Sequence, residues 1–155
     1  MPNLISIPLL RLTTQPSTMF NLTTGKHKRL LQRAFSMCFR SMTDELGNVP
    51  LSMQSSQEIT GSILGACRGY AEANMLSQAS FNLIVDAVFE ELFRRESVAV
   101  QTKAEQWLSS ESEIFMLAYY HAKSSTINSK TIDLTWLTDY AKKHFKAGHQ
   151  VMFYL

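Results

Sequence analysis

His121 and His144 fall within helical patterns, and imidazoles on neighbouring helices can hold a metal or pass a proton. His121 is spaced with Ile114, Leu117 and Ala118, and His144 with Leu137, Tyr140 and Ala141, so both are expected to face the interior. Neither has a carboxylate three or four residues away on the same face, the arrangement that helical di-metal centres use, and Asp86 and Glu90 belong to the polar side of their own helix. They therefore read as core or boundary histidines, with no metal and no cofactor expected. His27 and His149 sit near segment ends.

Covalent chemistry has as little to work with. Cys38 and Cys67 lie on apolar stripes and stand in no CxxC or CxxxC pattern, which excludes a disulfide framework and a thiolate zinc site. Buried thiols in apolar surroundings are usually inert. There is no GxSxG, no GxxxxGK[ST] and no GxGxxG following a strand. Tyr119 and Tyr120 beside His121 would make an acid–base group only with a carboxylate or cofactor motif that the sequence lacks. The reading leans away from an enzyme, with a site near His121 and His144 left as the third alternative.

Binding is better supported. Gly61, Gly65 and Gly69 are spaced four apart within a helical segment. Each interior glycine costs ~1 kcal/mol relative to alanine, so the three together cost roughly 3 kcal/mol that a close contact must offset. At about 100° per residue they form a row opposite Ile59, Ile63 and Tyr70, with Arg68 and Glu72 on its flank. A row without side chains lets another backbone approach, as small-residue spacing does in membrane helices, although this segment is too polar to be one. Gly61, Gly65, Gly69, Arg68 and Glu72 are the expected partner-binding residues, facing either a neighbouring element of the same chain or a second copy across a symmetric dimer.

A second surface is basic. Lys26, Arg29, Arg33 and Arg40 fall within roughly 60° on a helical wheel, opposite Leu31, Phe35, Cys38 and Met42. Residues 1–50 hold six Lys or Arg against two acids, residues 51–100 three against six, and residues 101–155 six against five. Such a face can hold phosphate backbones without reading sequence, which is the alternative function, or lie beside an acidic helix of the same chain. Phe35 and Phe39 fall on the apolar side, so base stacking is not supported.

Helices must position these groups. Three of the four prolines stand at or before residue 16, leaving the rest nearly free of the strongest helix breaker. Helical spacing runs from residue 24 to 46, with Leu30, Ala34 and Phe39 joining the apolar stripe, until Gly47, Asn48 and Pro50 end it. Ser55 and Glu58 form a capping-box pattern for the glycine-bearing helix. Residues 78–96 give the clearest pattern, with Phe81, Ile84, Val85, Val88, Phe89, Leu92 and Phe93 opposite Asn82, Asp86, Glu90 and Arg94. Glu90 with Arg94 and Glu91 with Arg95 are acid-then-base pairs four apart. A weaker helix is expected over 98–109, and another from a Ser110 cap to about Lys123. Residues 124–131 are polar and read as a loop. A last helix, capped by Asp133 or Thr131, runs through Lys146 to a stop at Gly148.

The expected architecture is an all-α, single-domain bundle of five or six helices with the 78–96 helix central. It divides into an extended arm over 1–23, a helical domain over 24–147 and an apolar tail over 148–155. No 18-residue apolar run or export signal is visible, so no membrane span and a cytoplasmic location are expected. Eight methionines suit adaptable contacts. The expected function is a non-enzymatic protein–protein interaction module, adaptor or regulatory, binding itself as a homodimer or another protein.

Overall fold

Ser56 shows how closely local chemistry sets the helix boundaries. Its backbone is extended (φ −85°, ψ 123°) and its hydroxyl accepts the Ile59 N–H at 3.0 Å, capping the helix Gln57–Ala73. The cap is Ser56 and not Ser55, which shifts the expected start by one residue. In the computed structural model, residues 23–128 and 131–145 are described. The helices are α1 (residues 23–38), the single turn α2 (Leu51–Gln54), α3 (Gln57–Ala73), α4 (Gln78–Phe93), α5 (Ser97–Ser109), α6 (Glu113–Ile127) and α7 (Thr135–Phe145). Short 3-10 turns follow α1 at Arg40–Met42 and α4 at Arg94–Glu96, and no strand occurs among the described residues. The bundle is all-α, as its patterning implies. The expected arm and tail lie outside the described residues, apart from residue 23, which is helical.

α4 follows its pattern throughout. All seven of its expected inward side chains are buried, while Asn82, Asp86, Glu90 and Arg94 are exposed. It starts where the Ser77 hydroxyl accepts the Ser80 N–H at 3.1 Å. Neither Glu90 with Arg94 nor Glu91 with Arg95 forms an ion pair, because the α-helix stops at Phe93 and Arg94 leaves it at φ 51°.

The central helix is α3, not α4. Every residue from Ile59 to Cys67 is buried, so α3 packs on both faces while α4 keeps one for solvent. α1 and α4 meet through Thr24 Oγ1 and Ser80 Oγ, 2.8 Å apart, and through Gln32, which donates to the Ala87 carbonyl at 3.2 Å. α1 meets α3 where His27 Nδ1 lies 2.6 Å from the Tyr70 hydroxyl. α7 covers the end of α1, its Thr138 hydroxyl donating to the Cys38 carbonyl at 3.0 Å. Of the expected α1 stripe, Leu31, Phe35, Cys38, Phe39 and Met42 are buried, whereas Leu30 is exposed.

Turn chemistry also corrects one helix end and closes others. α6 continues to Ile127 although residues 124–127 read as loop. The Thr126 hydroxyl donates to the Ala122 carbonyl at 3.0 Å and the Ser125 hydroxyl to the His121 carbonyl at 2.9 Å, back-bonding that lets polar residues finish a helix. α3 and α5 close through left-handed non-glycine residues. Met75 (φ 57°) lets Leu76 N–H reach the Ala71 carbonyl at 2.9 Å, and Glu111 (φ 55°) lets Ser112 N–H reach the Trp107 carbonyl at 3.0 Å. Asp133 starts α7, accepting from the Thr135 N–H at 3.0 Å and the Thr135 hydroxyl at 2.7 Å.

Candidate functional site

The glycine row is filled from within the chain. A Cβ built on Gly61 would come 2.7 Å from the Phe115 carbonyl oxygen and 3.3 Å from Ala118 Cβ. On Gly65 it would meet the Tyr119 carbonyl, and on Gly69 the Thr126 hydroxyl and, at 2.6 Å, the Lys123 carbonyl. Contacts advance in the same direction along both helices, so α3 and α6 run parallel. The hydrogen that replaces each side chain faces an oxygen of α6, the geometry of weak Cα–H···O contacts. This backbone approach offsets the helix penalty of the glycines. Of the two expected alternatives for Gly61, Gly65 and Gly69, the neighbouring element of the same chain is the one found, because α6 covers all three.

Arg68 and Glu72 are also engaged internally. The Arg68 guanidinium lies 3.7 Å over the centroid of Phe81 and donates to Gln78 Oε1 at 3.1 Å, and Glu72 pairs with Lys123 at 3.5 Å. They extend the α3 contacts to α4 and α6.

Seating α3 against the Phe115, Tyr119, Ala122 and Thr126 side of α6 turns the rest of α6 outward. Ile114 and Leu117, expected inside, are 48% and 67% exposed, and His121 is exposed as well. They form one wall of an open groove of about 560 Å³, completed by Glu58 and Ser62 of α3 and by Trp136 and Tyr140 of α7. His121 meets Trp136 edge-on with ring centroids 5.0 Å apart, and the exposed His144 lies 4.3 Å from the Tyr140 ring. Burial first, and the Glu58 carboxylate second, push the Tyr140 phenol above its usual range. The Trp136 indole N–H is buried without a hydrogen-bond partner among the described residues. A mostly apolar trough with a few polar groups at its edge suits the side chains of another protein segment.

Among the described residues no three His, Cys, Asp or Glu side chains are grouped to hold a metal ion. Burial raises the Cys67 thiol to about 12 and the Cys38 thiol to about 11, leaving both protonated and unreactive. Tyr119 is packed against Phe115 at 6.3 Å, and Tyr120 projects outward.

Three of the expected basic residues lie on α1, and the fourth, Arg40, lies beyond its end. Lys26, Arg29, Arg33 and Arg40 are exposed, and none is ion-paired with another described residue. No acid of α4 forms an ion pair with them. Arg40 stands beyond the end of α1 in the 3-10 turn, where it lines a cleft of about 140 Å³ together with Ser36, Thr43, Gly47, Glu91 and Arg94.

Arg94 was readable in sequence only as a helix-face charge. Its backbone, at φ 51° and ψ −119°, occupies the position that glycine takes in a type II′ turn, a conformation that costs an arginine ~1–3 kcal/mol. Of the groove residues, Ser62 and Trp136 were not singled out by spacing, and Glu58 and Tyr140 only as a capping and an inward position, since the groove joins α3 to α7, far apart in sequence. None of the described helices is long and apolar enough to cross a membrane. No protein-family model, curated protein or solved structure matches the chain.

Proposed function

We propose that the protein is a non-enzymatic interaction module that pairs with a second copy of itself through the α3–α6–α7 groove. The observation that carries this reading is the exposure of Ile114 and Leu117 on the wall of a trough that is itself apolar. A ridge beside a groove is self-complementary: a two-fold axis places the ridge of each copy in the groove of the other. Burying the two side chains contributes about 1–2 kcal/mol each and counts twice in a symmetric pair. The role first assigned to the glycine row thus passes to the opposite side of α6, and the glycines act by fixing which side of α6 remains free.

Size-exclusion chromatography with light scattering tests the reading on the wild type and on Leu117→Glu. The expected result is a wild-type dimer and a Leu117→Glu monomer with the same helical circular dichroism. A wild type that stays monomeric at roughly 100 μM, weaker than any specific pairing of this size, would overturn it.

A further inference from the structure

We infer that the cleft between the ends of α1 and α4 binds a phosphoryl group, at a site separate from the self-association groove. The sequence spends a left-handed backbone position on Arg94 instead of the glycine that its φ of 51° favours. That backbone delivers the guanidinium onto Gly47, where a Cβ would come 2.6 Å from Nη2 and where φ is +86°. Both features set the Arg94 head group against Gly47 in the cleft.

Arg40 lines the same cleft, with the Ser36 and Thr43 hydroxyls beside it. Neither Arg40 nor Arg94 has a carboxylate within ion-pair distance among the described residues. Glu91 is the one carboxylate in the lining, so two guanidinium groups against one acid leave it positive. Two planar donor forks beside a small space suit a tetrahedral oxyanion, whose oxygens accept in several directions at once. The volume of about 140 Å³ is that of a head-group site and not of a whole ligand.

Room for the remainder lies next door. Arg94 also lines an adjoining cleft of about 940 Å³, where Leu46 and Leu51 expose their side chains. Asp44 and Glu96 line that cleft against Arg94 and Arg95, so it carries no excess positive charge to hold a second anionic group. The ligand class is therefore a phosphate ester with an uncharged, partly apolar body. The same phosphate chemistry is offered by a polynucleotide backbone laid along Lys26, Arg29 and Arg33.

Calorimetric titration at low salt with phenyl phosphate and, separately, with a mixed-sequence single-stranded oligonucleotide tests the site. Arg40→Gln and Arg94→Gln should each weaken phenyl phosphate about tenfold or more, the usual loss for a hydrogen bond to a charged group. Arg94→Gln retains the strained backbone and reads the charge alone. Arg94→Gly should also lose binding while raising the unfolding midpoint, because it relieves the left-handed arginine. Arg29→Glu combined with Arg33→Glu should leave phenyl phosphate binding unchanged. Oligonucleotide binding that this double variant weakens, that both glutamine variants weaken and that falls steeply with salt would assign the phosphate to a polymer at the same cleft. Saturable binding of neither probe, or phenyl phosphate affinity indifferent to Arg40→Gln and Arg94→Gln, would overturn the proposal.

Discussion

Gly65 of α3 rests against the backbone carbonyl of Tyr119 in α6, with no space between them for a methyl group. Two helix backbones can meet this closely only where one of them lacks side chains. Gly61 and Gly69 repeat the contact one turn before and after, so α3 and α6 behave as a single structural unit.

Gly65→Ala is therefore expected to destabilise the protein although alanine is the better helix former. The propensity gain is ~1 kcal/mol, whereas forcing a methyl into a rigid backbone costs about 3 kcal/mol or more, leaving a net loss of roughly 2 kcal/mol. Urea unfolding of the variant reads this directly. A midpoint raised above the wild type would show that the two helices can separate freely and that the row is not a packing device.

The same contact explains what was legible in the sequence. α4 presents one apolar face, and burial follows it residue by residue from Phe81 to Phe93. α6 carries two candidate apolar faces, Ile114 with Leu117 and Phe115 with Ala122, and its own periodicity does not choose between them. The glycines on α3 make the choice, since only the second face brings the α6 backbone close enough to fill the row. That is a relation between segments about 54 residues apart, which a local pattern does not contain. The existence of a close helix contact was readable, but its partner, and with it the groove left outside, was not. Arg94 escaped for a related reason: a run of acid-then-base pairs looks like continuing helix, and nothing in the pattern announces the turn that stops at Phe93.

His27 gives a pH dependence of definite sign. Burial first, and neighbouring Lys26 second, lower its pKa below the ordinary 6.5, and its Nδ1 meets the Tyr70 hydroxyl at 2.6 Å. A neutral imidazole accepting that hydroxyl proton fits the lowered value. The unfolded chain then binds a proton more readily than the folded one, so this contribution is complete above pH 6.5 and is lost as pH falls through the folded value. Stability of the wild type should decline from pH 6.5 downward, and His27→Gln should flatten that part of the profile. An unaltered slope in the variant would assign the decline to other groups.

The cysteines report on how the bundle opens. Cys67 is wholly enclosed by the core, while Cys38 lies beneath α7, its sulfur 3.2 Å from the Thr138 hydroxyl. Labelling Cys67 with a thiol reagent requires global unfolding, but labelling Cys38 requires only that α7 lift away, a smaller opening. Native-state alkylation followed by mass spectrometry should modify Cys38 first. Thr138→Val should speed the reaction at both thiols by a similar factor, because global unfolding also breaks the Thr138 contact, and should leave Cys38 the faster. Equal rates at both thiols would mean that α7 leaves only when the whole core opens.

Asp44 holds the loop on which Arg94 rests. Its Oδ1 accepts the N–H groups of Leu46 and Asn48, each at 2.9 Å, and the loop closes again where Asp44 N–H donates to the Asn48 carbonyl at 2.9 Å. The hydrogen bonds that its carboxylate accepts, the one from the Asn48 backbone first, lower the carboxyl pKa below its ordinary 3.8. A group whose folded value is depressed adds stability that is fully present above 3.8 and disappears as pH falls through the folded value. Asp44→Ala should therefore lower the unfolding midpoint at pH 7, and the gap to wild type should narrow in acid as the wild-type carboxylate protonates. Because the loop also carries Gly47, the variant should displace the Arg94 guanidinium and weaken phenyl phosphate binding at neutral pH. Removing an acid beside an anion site ought otherwise to strengthen it. Tighter binding in Asp44→Ala would show that the carboxylate acts on the ligand by charge alone and that the loop does not position the arginine.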